Sequence, residues 1–187
     1  MTDTFSTVQL RRNVVLVGMM GSGKTAIGRA LAARLGVPFV DSDAAIEEAA
    51  ALSIAEIFAR DGETFFRERE TEVLRRLLMG PPRIVSTGGG AFLAERNRQA
   101  IADAGVAVWL DADLPTLWDR VRQKDTRPLL RTPNPRATLA QIFAERTPIY
   151  ALAGLHVPID RGASIDETTQ TVIDTLLTRP DILETVS

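Results

Sequence analysis

The sequence predicts an α/β fold in which a mostly parallel sheet is covered by helices on both faces. Two observations carry this: five short apolar runs alternate with segments of helical spacing, and the first run opens through a glycine-rich turn directly into a helix. Length agrees, because 187 residues suit a single domain that buries a sizeable core.

Residues 13–18 read NVVLVG, valine-rich and ended by glycine, as a strand buried on both faces does. From Lys24 the period changes. Ile27, Ala30, Leu31, Arg34 and Leu35 share one helical face, and Gly36 with Pro38 stops the run. Phe39 and Val40 make a short second strand before a helix from about Asp43. Further helices are expected from about Ser53 and about Gly62; Ser53 with Glu56, and later Ser164 with Glu167, have capping-box spacing. The third strand spans Ile84 to Thr87 and runs into three glycines. The fourth spans Val106 to Leu110 and precedes a helix opened by Asp113 and Pro115; the fifth spans Leu155 to Ile159. Residues 123–136, QKDTRPLLRTPNPR, hold three prolines and no periodicity, and are expected to form a mobile lid between two helices. The domain core is expected over 13–178, with 1–12 and 180–187 as tails.

Composition removes much chemistry. A hydrophobic share of 45% with 25% charged residues is that of an ordinary folded chain. Zero cysteines exclude disulfides, thiolate metal sites and cysteine nucleophiles, and one histidine excludes multi-histidine metal sites. A net charge of -2 offers no global attraction to nucleic acid or an anionic membrane, so neither is expected as a partner. No signal peptide or membrane-spanning run is present in the sequence, which sets a cytoplasmic expectation. Lys24 and Lys124 are the two lysines, and a lone arginine in so arginine-rich a chain carries little weight. His156, Trp109 and Trp118 are read as structural residues.

Gly18 to Thr25, GMMGSGKT, fits G-x-x-x-x-G-K-[ST] between a predicted strand and a predicted helix. At this composition the pattern arises by chance about once per thousand chains of this length. Its glycines let backbone N–H groups turn inward around an anion, and the helix N-terminus adds about half a positive charge. Gly21, Ser22 and Gly23 therefore form a phosphate cradle, Lys24 reaches the β and γ phosphates, and the Thr25 hydroxyl is a magnesium ligand.

Other polar clusters must name the acceptor. Asp41-Ser42-Asp43 follows the second strand at the carboxyl edge, where open sheets place ligands. One carboxylate suits a metal and the other suits a hydroxyl proton, although Asp43 is equally readable as a helix cap. Ser86-Thr87-Gly88-Gly89-Gly90 follows the third strand, and Glu70 stands three residues after Arg67 in FFRERE. Thr126-Arg127-Pro128-Leu129-Leu130 and Arg146-Thr147-Pro148-Ile149-Tyr150 complete the set.

These segments, in this order and with the cradle, resemble shikimate kinase over residues 13 to 160: D-x-D, F-R-x-x-E, G-G-G, R-P-L-L and R-x-P-x-Y are each matched at compatible spacing. The resemblance implies a three-layer P-loop NTPase fold with a five-stranded parallel sheet and a mobile lid. It implies transfer of the ATP γ-phosphoryl group to the 3-hydroxyl of shikimate, with Mg²⁺, by a cytoplasmic monomer. Asp41 then corresponds to the magnesium-side aspartate, with Thr25 and, through water, Ser86. Asp43 meets the acceptor hydroxyls as the base. Arg67 and Arg146 bind the shikimate carboxylate, Gly88, Gly89 and Gly90 add backbone contact, and Glu70 braces Arg67. Arg127 covers the transferring phosphate and Arg120 stacks on adenine. Ala26 stands in the nucleotide site where relatives often carry a second hydroxyl, and IDRGAS over 159–164 lacks the proline often found in the adenine loop.

Rival readings are another small-molecule P-loop kinase, acting on gluconate or a nucleoside monophosphate, and a nucleotide switch that uses VAVWLD over 106–111 as its second nucleotide motif. The first has no reason to combine D-x-D with this arginine set, and the second lacks an N-K-x-D segment.

Overall fold

The computed structural model describes residues 7–124 and 128–186. In chain order the strands are β1 (Thr7–Leu10), β2 (Asn13–Val17), β3 (Phe39–Asp41), β4 (Ile84–Ser86), β5 (Gly105–Asp111), β6 (Leu155–Pro158) and β7 (Leu183–Val186). The helices are α1 (Lys24–Leu35), α2 (Ser42–Ala50), α3 (Ile54–Leu77), α4 (Glu95–Ala104), α5 (Leu114–Val121), α6 (Pro135–Tyr150) and α7 (Ile165–Leu176). The five strands expected from the apolar runs make one parallel sheet of order β3-β4-β2-β5-β6. Central β2 is buried along its whole length, which is why its sequence is a continuous apolar run and not an alternation.

Parallel register brings the ends that matter into line. Asp41 pairs with Ser86 across β3 and β4, and Leu16 pairs with Ser86 across β2 and β4. The chain therefore leaves β2, β3 and β4 side by side, through the GMMGSGKT turn, Asp41-Ser42-Asp43 and Thr87-Gly88-Gly89-Gly90. Helix α1 lies close over β3 because residue 28 is glycine: a β-carbon there would stand 2.6 Å from the Phe39 ring.

Both expected capping boxes form, on α3 with Ser53 and Glu56 and on α7 with Ser164 and Glu167. The helices expected from Ser53 and Gly62 are both present within α3, which joins them across a kink where the Gly62 backbone is not helical (φ 85°, ψ 173°). Residues expected as tails instead pair with each other: β1 and β7 are antiparallel from Thr7–Val186 to Leu10–Leu183, continued by Arg11 N donating to Ile182 O at 2.7 Å. Leu10, Ile182 and Leu183 are buried there. Of the expected lid, Asp125, Thr126 and Arg127 lie outside the described residues, 128–130 form a short 3-10 turn, and Pro135 and Arg136 already belong to α6, capped by Asn134. Trp109 is in the core as expected, whereas Trp118 is only half-buried against it.

Candidate functional site

A cavity of about 810 Å³ opens at the carboxyl ends of β2, β3 and β4. Residues 20–27 form one wall, and Asp41, Asp43, Ser86, Thr87, Gly88 and Gly89 form another. Glycines give the first wall its shape. Gly18, Gly21 and Gly23 all have positive φ (145°, 81° and 92°), and a β-carbon on Gly18 would stand 2.7 Å from the Leu110 carbonyl oxygen. The backbone between them therefore curls around an opening that ends on the N-terminus of α1.

Lys24 is 9% exposed and lines the cavity. Nζ donates to the carbonyls of Gly18 at 2.7 Å and Met19 at 2.9 Å. Both carbonyls accept from this charged donor, so an anion that takes Lys24 competes with them. Arg120 on α5 donates from Nη1 to Gly21 O at 3.0 Å and forms the outer lip. Ala26 lines the same wall, as the departure from the family pattern requires.

Asp41 and Ser86 sit shoulder to shoulder through the strand register. One Asp41 carboxylate oxygen accepts from Ala44 N at 3.1 Å and the other faces the Thr25 hydroxyl at 3.3 Å. The cap of α2 is thus Asp41, and the helix-cap reading of Asp43 does not hold. Hydroxyl and carboxylate oxygens are the donors magnesium prefers, and among the described residues no group of three His, Cys, Asp or Glu could hold a metal alone. Thr25, Asp41 and Ser86 fit such an ion when phosphate and water complete its shell.

Freed from capping, Asp43 points into the cavity wall. Burial, then the charges of Asp41 and Glu70, raise its pKa to about 6 against the opposing pull of Lys24. That is the poise of a proton acceptor working near neutrality.

The three glycines explain themselves through what stands against each. A β-carbon on Gly88 would meet an Asp43 carboxylate oxygen at 2.5 Å, one on Gly89 the Arg146 Nη1 at 3.1 Å, and one on Gly90 both terminal nitrogens of Arg67 at 2.6 Å. One bare stretch of backbone thereby gathers a carboxylate from α2, a guanidinium from α3 and a guanidinium from α6. Arg67 is held by Glu70, whose oxygens accept from Nη1 at 2.9 and 3.2 Å. Glu70 is only 2% exposed, not on a solvated helix face, and burial raises its pKa while Arg67 lowers it.

Sequence reasoning missed part of the wall. Lys124, Ile159, Ala163, Ser164, Ile165 and Thr168 also line the cavity. Lys124 carried a signal as one of two lysines; residues 159–164 were placed at the adenine loop by the resemblance alone, and Ile165 and Thr168 carried no motif. His156 stacks on Trp109 with ring centres 4.6 Å apart and bonds Asp111 at 2.8 Å, outside that lining. Arg127 lies outside the described residues.

Comparison with known proteins agrees with this geometry. The family profile described as shikimate kinase matches residues 20–177. A shikimate kinase of Ruegeria pomeroyi is 62% identical over 175 residues, covering 94% of this chain and 90% of its own. One from Cereibacter sphaeroides is 59% identical over 177 residues, covering 95% and 88%. Among solved structures, shikimate kinase from Acinetobacter baumannii in complex with shikimate superposes with a TM-score of 0.83 at 36% identity, covering 89% of this chain and 93% of the other. A phosphate loop, a poised aspartate and two arginines on a glycine run, in a chain this similar from end to end, leave one conclusion: the protein belongs to the shikimate kinase family.

Proposed function

We propose that the residues described above divide between them the family reaction, transfer of the ATP γ-phosphoryl group to the 3-hydroxyl of shikimate, giving shikimate 3-phosphate and ADP. Gly21, Ser22, Gly23 and Ala26 cradle the phosphates, and Lys24 leaves the Gly18 and Met19 carbonyls for the β and γ oxygens. Arg120 lies along the adenine. Arg67 and Arg146 bind the acceptor carboxylate, which a planar guanidinium meets with two parallel hydrogen bonds. Asp43 takes the proton of the attacking hydroxyl, and Arg127 covers the phosphoryl group in transit. A magnesium ion held by Thr25 and Asp41, and through water by Ser86, supplies neutralisation of phosphate charge when bound.

The contact of Gly88, Gly89 and Gly90 with Asp43, Arg146 and Arg67 is the observation that carries this reading. A carboxylate and two guanidiniums gathered at one glycine run, two of whose residues line the cavity of the phosphate loop, support a base and an anion clamp that serve a single acceptor. The expected monomer is checked by sedimentation.

ADP release measured with and without shikimate tests the reaction. Release is expected to depend on shikimate, and equal release without it would make the protein a nucleotide switch. Arg67→Ala and Arg146→Ala are each expected to raise the shikimate KM by roughly ten- to a hundredfold, since a hydrogen bond to a charged group contributes about 1.5 to 3 kcal/mol. The ATP KM should stay unchanged. Gluconate or a nucleoside monophosphate proving the better acceptor would overturn the assignment of substrate.

A further inference from the structure

Two buried polar groups beside the site have no part in the reaction as described. Asn97 on α4 is 1% exposed, and so is Tyr150, the last residue of α6. Asn97 Nδ2 donates to Ala91 O, immediately after the glycine run, at 2.8 Å. This bond fixes the orientation of the amide, so Oδ1 is the acceptor that faces Thr71 Oγ1, also at 2.8 Å. A hydroxyl has one proton to give. Thr71 receives a bond from Arg96 Nε at 2.9 Å and has Arg67 O as its alternative acceptor at 3.1 Å, so the shorter contact to Asn97 takes the proton. A directed chain results, from Arg96 through Thr71 and Asn97 to Ala91 O. On the other side, Tyr150 Oη donates directly to Gly89 O at 2.5 Å.

The two ties share a design. Thr71 stands four residues after Arg67, and Tyr150 stands four residues after Arg146. Four residues is one helical turn, so each hydroxyl lies on the face that carries its arginine. Each arginine-bearing helix is therefore pinned, one turn along from its arginine, to a carbonyl in the middle of the glycine run or immediately after it. We infer that Thr71, acting through Asn97, and Tyr150 are positioning residues that set the spacing of Arg67 and Arg146 and hence the affinity for an acceptor carboxylate. The inference rests on the two-arginine clamp proposed above. Long side chains find a common anion only when their backbones are held at the right separation, and misplacement is felt in binding before it is felt in chemistry.

Shape-preserving variants test this. Tyr150→Phe keeps the ring beside Trp109, and Thr71→Val keeps the branched shape while removing the hydroxyl. Each is expected to raise the shikimate KM about three- to tenfold, with kcat and the ATP KM within about twofold of wild type. Thr71→Ser, which restores a hydroxyl, should restore KM. Tyr150→Phe should lose most of its effect in an Arg146→Ala background and keep it in an Arg67→Ala background; Thr71→Val should show the reverse, as coupled pairs in a mutant cycle do. A general loosening would instead raise both KM values, lower kcat and add in every background, and that pattern overturns the inference. So does an unchanged shikimate KM, or Thr71→Ser behaving like Thr71→Val. If Arg67→Ala and Arg146→Ala themselves leave the shikimate KM unmoved, the clamp fails and takes the ties with it. If the arginine variants raise KM and the tie variants do not, only the ties fail.

Discussion

Asp43 carries opposing demands on one carboxyl group. Its pKa rises from the ordinary 3.8 to about 6 chiefly through burial, so the folded chain holds a proton there that the unfolded chain has lost. Between those two pH values the native state binds more protons, and stability from this group falls as pH rises through the window. Above pH 6 the buried charge costs up to about 3 kcal/mol, at 1.4 kcal/mol per unit. Asp43→Asn never charges. We predict that it melts higher than wild type above pH 6 in ligand-free protein and converges with it toward pH 4. Turnover should move the other way. Wild-type activity is expected to rise with pH through about 6 as the base frees its lone pair, and Asp43→Asn should lose a factor of roughly 100 or more in kcat with ATP binding kept. Unaltered turnover in the variant, or a melting difference independent of pH, would remove Asp43 from this role.

Among the elements, glycine positions separate packing from function. A β-carbon on Gly90 would collide at 2.6 Å with the tip of a flexible arginine, whereas one on Gly105 would stand 2.0 Å from the Asn13 carbonyl oxygen, which is backbone. Gly90→Ala is accordingly expected to leave melting within a few degrees and to raise the shikimate KM by displacing Arg67. Gly105→Ala must part β2 from β5, and is expected to lower stability by about 1 to 3 kcal/mol with the KM of surviving enzyme intact. Melting curves beside steady-state kinetics distinguish the two. The same contrast marks what the sequence makes legible. Strands β2 and β5 were readable because wholly buried strands must be continuous apolar runs, and Ser53 and Ser164 because a capping box is a local pattern. The run at 88–90 showed that backbone must be approached closely without showing by what, since Asp43, Arg67 and Arg146 arrive from three separate helices. Asp41 and Asp43 are two residues apart, and spacing could not say which one caps α2; the turn out of β3 decides it. Lys24 was expected to meet the β and γ phosphates, and its bonds to the Gly18 and Met19 carbonyls are a placement that no motif encodes.

For the molecule as a whole, the two ends of the described chain matter more than their sequence suggested. Strands β1 and β7 are four residues each and lie at opposite ends of the sequence, too short for any period to show. Their pairing nonetheless closes over wholly buried Ile182 and Leu183. Leu183→Ala is expected to lower stability by roughly 2 to 5 kcal/mol, as large-to-small changes in cores do, while kcat and both KM values below the melting range stay at wild type. A changed KM would mean that the ladder reaches the site. The geometry of that ladder also has a mechanical side. Thr7 and Val186 form its outermost rung and the strands run antiparallel, so handles attached beyond these residues load the rungs one after another instead of all at once. Stretched between two beads, the chain is therefore expected to unzip from its ends at low force, paying out a short length of tether while the parallel sheet and its phosphate loop still hold, before the main rupture.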